Sequence, residues 1–186
     1  RKCLIGNARH DASLARPRRL RQSSGMDALA TPGSALDALN AHFAGMPPVA
    51  ALRPIIADWR DGHLRLSAPL DANVNDKGCA FGGSLVSLMT IAAWGLVFLE
   101  LAEAGIEADI FVADSRVRYL KPVFEDIVVD AGFDDPVERA ALADTLRKQG
   151  RASIRLKSES LLADGGVAAS FVGRYVAIAK QVAAKG

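Results

Sequence analysis

Residues 73–105 read NVNDKGCAFGGSLVSLMTIAAWGLVFLELAEAG and hold the longest apolar run in the chain. A polar turn opens the stretch, Gly82 and Gly83 follow, and no charged residue stands between Lys77 and Glu100. About 20 apolar residues suffice to span a bilayer as a helix, so length alone permits a membrane reading. Ser84, Ser87, Thr90 and Gly95 interrupt the run, however, and its flanks (Asp76 and Lys77 against Glu100 and Glu103) show no positive bias. A helix that is apolar around its whole circumference is otherwise one buried by other elements. Gly105 stands where a helix end favours a residue free to take the left-handed conformation. The stretch is therefore read as a central helix over residues 82–104, with no membrane span.

The flanking sequence supplies a sheet to enclose it. Residues 108–123 (ADIFVADSRVRYLKPV) alternate, with Val117 and Tyr119 on one face, Arg116 and Arg118 on the other, and Pro122 closing the strand. Ile127, Val129, Ala131 and Phe133 alternate through the next strand. Asp135 as N-cap, Pro136 in the first position and Glu138 placed to cap back predict a short helix that Gly150 ends. Residues 151–162 alternate again, with Ala152, Ile154 and Leu156 against Arg151, Arg155 and Lys157, and Asp164-Gly165-Gly166 turns the chain into a last strand over 167–178. Upstream, LRPIIADW and HLRLSAPL within residues 52–70 form a hairpin about Asp61-Gly62. His63 beside that turn reads as a solvated strand end, and no His, Cys or acid stands at ligand spacing from it, so no metal site is expected. Ser34 to Phe43 reads as a short amphipathic helix, capped by Ser34 with Asp37 and stopped by Met46, Pro47 and Pro48. The whole is an α+β domain, an antiparallel sheet wrapped around a long central helix.

Bulk properties narrow the function. At 186 residues the chain fits one domain with a sizeable core. Its net charge of +2 hides an asymmetry: residues 1–25 carry seven Lys or Arg against Asp11, leaving the remainder with 16 basic and 20 acidic side chains. The body is thus mildly acidic, and nucleic acid is not an expected partner. No apolar segment follows the first basic residues, which excludes a secretory signal there. Residues 1–33 read as a disordered basic extension, with Met26 as a candidate true start, and residues 34–180 as the folded domain. Cys3 and Cys79 make no disulfide framework, so a cytoplasmic location is expected.

Chemistry is concentrated between Asn75 and Gly83. Two glycines opening a helix let a ligand approach backbone N–H groups that have no partner inside the helix. The helix dipole adds positive potential there, which suits an oxyanion developing on a carbonyl oxygen. The plainer alternative is that Gly82 and Gly83 only permit close packing. Cys79 is open to two readings, a nucleophile near a helix N-terminus or a small packing residue, and Ser84, Ser87 and Ser115 share that ambiguity. Arg116, Arg118, Lys121, Arg155 and Lys157 read either as a solvent face or as a surface for phosphate or an acidic partner.

The stretch N-D-K-G-C-A-F-G-G-S-L before a long helix, followed by S-R-V-R-Y-L-K-P, resembles the hotdog-fold thioesterase superfamily. It is similar in particular to a bacterial thioesterase-like branch, also found fused behind an acetyltransferase domain and linked to malonyl-acyl-carrier-protein decarboxylation in fatty acid synthesis. The resemblance covers about residues 35–180. It implies a homodimer with an acyl pocket at each subunit boundary. It implies a phosphopantetheine thioester of acyl carrier protein or coenzyme A as substrate, and no separate cofactor.

In the superfamily pattern an Asn, a Gly and a His-Gly-Gly lead into the helix, with an acidic residue further along it. Asn75 and Gly78 match the first two, Phe81 replaces the His, Gly82 and Gly83 match the pair, and Thr90 replaces the acid. The resemblance implies Asn75, Asp76, Gly82 and Thr90 as catalytic and Phe81, Gly83 and Ser84 as substrate-binding. Thr90 has no carboxylate to activate water, and Asp76 is either its substitute or a solvated turn residue. Decarboxylation of a malonyl thioester needs an oxyanion site but no base in its first step, and is the expected reaction. Thioester hydrolysis is the alternative. A third reading, binding of acyl thioesters without turnover, would call for a DNA-binding module, and residues 1–33 lack the apolar periodicity for one.

Overall fold

The computed structural model describes residues 32–180. Its elements are α1 (Pro32–Gly45), the single turn α2 (Pro47–Ala50), β1 (Ile55–Arg60), β2 (His63–Ala68), a 3-10 turn (Leu70–Ala72), α3 (Gly82–Glu103), β3 (Ala108–Tyr119), β4 (Ile127–Phe133), α4 (Pro136–Gln149), β5 (Arg151–Leu161) and β6 (Val167–Ala179). The strands form one six-stranded sheet in the order β1-β2-β4-β5-β6-β3, and every neighbouring pair is antiparallel. The expected α+β architecture is the observed one.

The sheet wraps α3 because its strands alternate. Leu64 and Leu66 of β2, Val129 and Ala131 of β4, Ile154 and Leu156 of β5 and Phe171 of β6 are buried on the face toward the helix. Arg65, Asp130, Lys157 and Arg116 lie on the other face. Leu88, Met89, Ala92, Ala93, Leu96, Val97 and Leu99 of α3 are fully enclosed. α3 is long and apolar enough to cross a membrane, yet 61% of its most apolar window is buried inside this fold. α1 covers another side of α3. A Cβ at Gly95 would stand 2.9 Å from Leu64 and 3.2 Å from Leu39, so glycine is what lets α1, α3 and β2 meet.

Local signals explain most boundaries. Asp61 and Gly62 both have positive φ, at 52° and 76°, the two-residue hairpin turn their sequence predicts. Asp135 accepts a hydrogen bond from Val137 N at 2.7 Å as N-cap of α4, and Gly150 ends that helix in the left-handed conformation. Gly105 takes φ 67° just past α3. Two expectations fail. α1 begins at Pro32, so Ser34 lies within the helix and is not its cap. Glu138 does not cap back onto α4; its carboxylate accepts from Arg155 N at 3.2 Å, tying the helix to β5. Residues 1–31, the greater part of the basic extension, and Cys3 with them, lie outside the described residues.

Candidate active site

Residues 73–81 form a small ribbon that delivers the chain to the first turn of α3. Val74 bridges Ala80, Asn75 N donates to Cys79 O at 2.8 Å, and Phe81 N donates to Asn73 O at 2.7 Å. Gly78, at φ 79°, makes the tight return. Asn73 anchors the base. It is 2% exposed, and its Nδ2 donates to Leu52 O at 3.0 Å and Pro69 O at 2.8 Å. Asn73 carries no distinguishing motif in the sequence beyond its place at the ribbon's start.

At the end of the ribbon, α3 begins with a residue that cannot cap it. Phe81 is the N-cap, with φ −66° and ψ 130°, and makes no side-chain cap hydrogen bond. Leu85 N already bonds Phe81 O at 3.0 Å. The N–H groups of Gly82, Gly83 and Ser84 precede any intrahelical acceptor, and no side chain among the described residues takes them. Ser, Thr, Asp or Asn normally fills this position, so these donors are left free against the local rule. The Phe81 ring lies over Gly83, where a Cβ would fall 2.2 Å from it, so a side chain there would have to displace that ring. The Phe81 ring is itself 57% exposed beside the turn.

The other expected residues take distinct places. Asn75 Oδ1 accepts from Lys77 N at 2.8 Å and Cys79 N at 3.3 Å, while Nδ2 donates to Cys79 Sγ at 3.2 Å. The amide is thus held rigidly with its acceptor side occupied, and one N–H of Nδ2 has only a weak sulfur partner. Cys79 is half-buried and receives that bond, with no base beside its thiol among these contacts. Asp76 sits at the exposed tip, paired with Lys77 Nζ at 2.8 Å. Ser84 is buried at 6% exposure.

Thr90 Oγ1 donates to Val86 O at 2.7 Å, and the Thr90 carbonyl accepts from Tyr175 OH at 2.9 Å. Burial pushes the Tyr175 hydroxyl well above the usual phenol range. Eight residues separate Gly82 from Thr90, about 12 Å along the helix. One protomer therefore does not bring Thr90 to the free N–H groups. Tyr119, read from sequence only as a strand residue, touches the first turn directly: its hydroxyl donates to Gly82 O at 3.0 Å. Alternation groups it with Val117 on one face of β3, but nothing in the sequence reports its partner on α3.

The basic residues differ in whether they are paired. Lys157 pairs closely with Asp134, a hydrogen bond that raises its pKa, and Arg174 bonds Asp114 at 2.6 Å. Arg116, Arg118 and Arg155 make no ion pair among the described residues. All lie on the face away from α3. Among the described residues no three His, Cys, Asp or Glu side chains gather to hold a metal ion.

Solved structures share this architecture. A protein of unknown function from Chlorobaculum tepidum is 28% identical, with 81% of this chain and 98% of that chain covered and a TM-score of 0.75. A "putative thioesterase" from Shewanella oneidensis is also 28% identical over 78% of this chain and 99% of that chain, with a TM-score of 0.70. A thioesterase from Haemophilus influenzae, at 14% identity, 81% and 94% coverage and a TM-score of 0.62, shares the fold alone. The fold is the hotdog of these thioesterase structures, with the helix enclosed by the six-stranded antiparallel sheet. The family match runs through the ribbon, the glycine-led helix start and the whole sheet: over residues 39–179 the chain belongs to the family described as "Putative thioesterase (yiiD_Cterm)".

Proposed function

We propose that the protein decarboxylates malonyl thioesters of a phosphopantetheine carrier, with the start of α3 as its oxyanion site. The observation that carries this reading is the pairing of free donors at Gly82, Gly83 and Ser84 with a helix that has no acid before Glu100. The thioester oxygen lies against the free N–H groups. The bond between the carboxylate carbon and the methylene carbon breaks, and carbon dioxide leaves. The electron pair passes into the thioester as an enolate, whose negative oxygen these donors stabilise; one such donor is worth about 3 kcal/mol of barrier. Protonation of the methylene carbon by water then yields the acetyl thioester.

The surroundings favour loss of the carboxylate over attack by water. Partly buried apolar side chains of α3 and β3 include Val86 and Val117, while Arg116 and Arg118 lie on the opposite face of β3. An ionised carboxylate held there without a cation is costly, and decarboxylation removes that charge. Thr90 spends its hydroxyl proton on Val86 O and is neither a base nor, in this rotamer, a donor. Asp76, the substitute base that hydrolysis would need, is engaged with Lys77 at the exposed tip.

The protein acts as a homodimer in this reading. β3 is a 12-residue edge strand, and Phe81, Tyr119, Leu120 and Phe124 around its end are more than half exposed. The strand carries acids, Asp109 and Asp114, toward one end and cations, Arg116 and Arg118, toward the other. In this reading Thr90 of the partner subunit approaches the first protomer's helix start, since a protomer's own Thr90 lies about 12 Å along α3 from it. Coenzyme A or acyl carrier protein supplies the phosphopantetheine arm, and the protein needs no cofactor of its own.

Replacement of Thr90 and Asn75 tests the reading. Thr90→Asp adds a negative charge near the malonyl group and should suppress acetyl-thioester formation. Asn75→Ala should lower the rate by about 10²-fold if its Nδ2 assists the oxyanion. A Thr90→Asp enzyme that decarboxylates at the native rate, or an Asp76→Asn enzyme that alone loses activity, would overturn it in favour of hydrolysis.

A further inference from the structure

The chain leaving β3 holds the start of α3 at two points. Tyr119, the last residue of β3, donates its hydroxyl proton to Gly82 O at 3.0 Å. A carbonyl can only accept, so the direction of this bond is fixed. The edge of the Tyr119 ring lies over Gly82, where a Cβ would stand 3.5 Å from Cε1 and 3.7 Å from the hydroxyl oxygen. Further along, Val123 O accepts from Ala80 N at 2.8 Å. The chain between these two points is pinned where Leu120 N and Lys121 N both reach Ala168 O, at 2.8 and 3.0 Å. Ala80 N and Phe81 N are thereby spent on Val123 O and Asn73 O, and the donors from Gly82 onward stay free.

Neither the acceptor nor the packing of the two elements depends on the Tyr119 bond. Gly82 O already receives Val86 N within the helix. Trp94 Nε1, donating to Ile110 O at 3.1 Å, ties α3 to β3 a second time. What the phenol adds is electronic. Gly82 C=O and Gly83 N–H belong to one planar, conjugated peptide unit. A donor on that oxygen draws charge across the amide and leaves the Gly83 proton more positive, as in any chain of hydrogen bonds that polarise one another. We propose that Tyr119 is a positioning residue of this kind, one that strengthens Gly83 N–H as a donor to the thioester oxygen. The relay runs from the Tyr119 hydroxyl through the Gly82 carbonyl to the Gly83 amide. The inference rests on the helix start as the carbonyl site and not on which bond breaks there.

The test grades the phenol while keeping the ring. Tyr119→Phe removes the proton, and 3-fluorotyrosine or 3,5-difluorotyrosine at the same position makes the hydroxyl a stronger donor, at a pH where every phenol in the series is protonated. Trp94→Phe breaks the other tie between α3 and β3 and serves as the control. The Gly83 amide nitrogen resonance should move upfield in Tyr119→Phe, move stepwise downfield with fluorination, and stay in place in Trp94→Phe. With malonyl-loaded carrier protein, kcat should follow the same order at constant KM. A donor worth about 10²-fold in rate, strengthened by about 10–30%, predicts a two- to fourfold loss of kcat in Tyr119→Phe. A resonance that is flat across the series, or a raised KM at native kcat, overturns the relay. So does a loss of kcat that Trp94→Phe reproduces and fluorination does not reverse, since the bond is then only a tether. A resonance that follows the series while kcat does not leaves the relay standing and overturns the helix start as the carbonyl site.

Discussion

Phe81 is where stability and activity should be separable. As N-cap of α3 it leaves the donors of the first turn free, and its backbone at φ −66° and ψ 130° already suits a capping side chain. Phe81→Ser would place a hydroxyl acceptor within reach of the Gly83 or Ser84 N–H. A cap of this kind is worth about 1 kcal/mol of stability. For a domain of this size that corresponds to a rise in Tm of about 2–4 °C. The donor so satisfied is lost to the oxyanion, which should lower kcat by about 10²-fold. Phe81→Ala is the necessary control, because it removes the 57%-exposed ring without supplying an acceptor. Thermal unfolding and turnover of a malonyl thioester, measured on the three proteins, separate the effects. Phe81→Ser should be more stable than Phe81→Ala and less active. If the serine variant is the more stable of the two and equally active, the first turn of α3 is not the oxyanion site.

Other consequences are independent of that helix end. The Tyr175 hydroxyl is buried and its pKa raised, so it favours the folded state fully below pH about 10; above that the unfolded chain ionises first and stability falls by up to about 1.4 kcal/mol per pH unit. Denaturant unfolding of wild type and Tyr175→Phe between pH 9 and 12 should show this slope only in the wild type. Ser158 and Ser160 are fully buried on β5, and their hydroxyls have no hydrogen-bond partner among the described residues. Ser158→Ala should therefore stabilise the fold by about 1 kcal/mol, and a measured loss would show that the hydroxyl is satisfied in solution. Light scattering at micromolar concentration should give a dimer of the 19.7 kDa chain, and a stable monomer would contradict pairing through β3.

The fold was legible because period and punctuation agreed along most of the chain. Alternation marked each strand face, Asp61-Gly62, Gly105 and Gly150 marked the turns and stops, and the uncharged run marked α3. Local signals misled where tertiary contacts outweighed them. Ser34 looked like a cap, but the helix starts earlier. Glu138 looked like a reciprocal cap, but the amide of Arg155 on the neighbouring strand claims its carboxylate. At the site, the glycine pair and Asn75 stood out, whereas Tyr119, Trp94 and Asn73 did not. Their roles depend on partners 37, 16 and 21 residues away, and no spacing in one sequence reports such pairings. Thr90 was visible as a missing acid, but the bond that takes up its hydroxyl proton belongs to one rotamer and could not be read in advance.

The most direct test of the central claim is the product released by the wild-type protein from malonyl-loaded acyl carrier protein, identified by mass spectrometry of the intact carrier. An acetyl-loaded carrier, with loss of one carbon dioxide per turnover, is the predicted result. Free carrier thiol and malonate, with no acetyl carrier formed, would contradict it and make the protein a hydrolase.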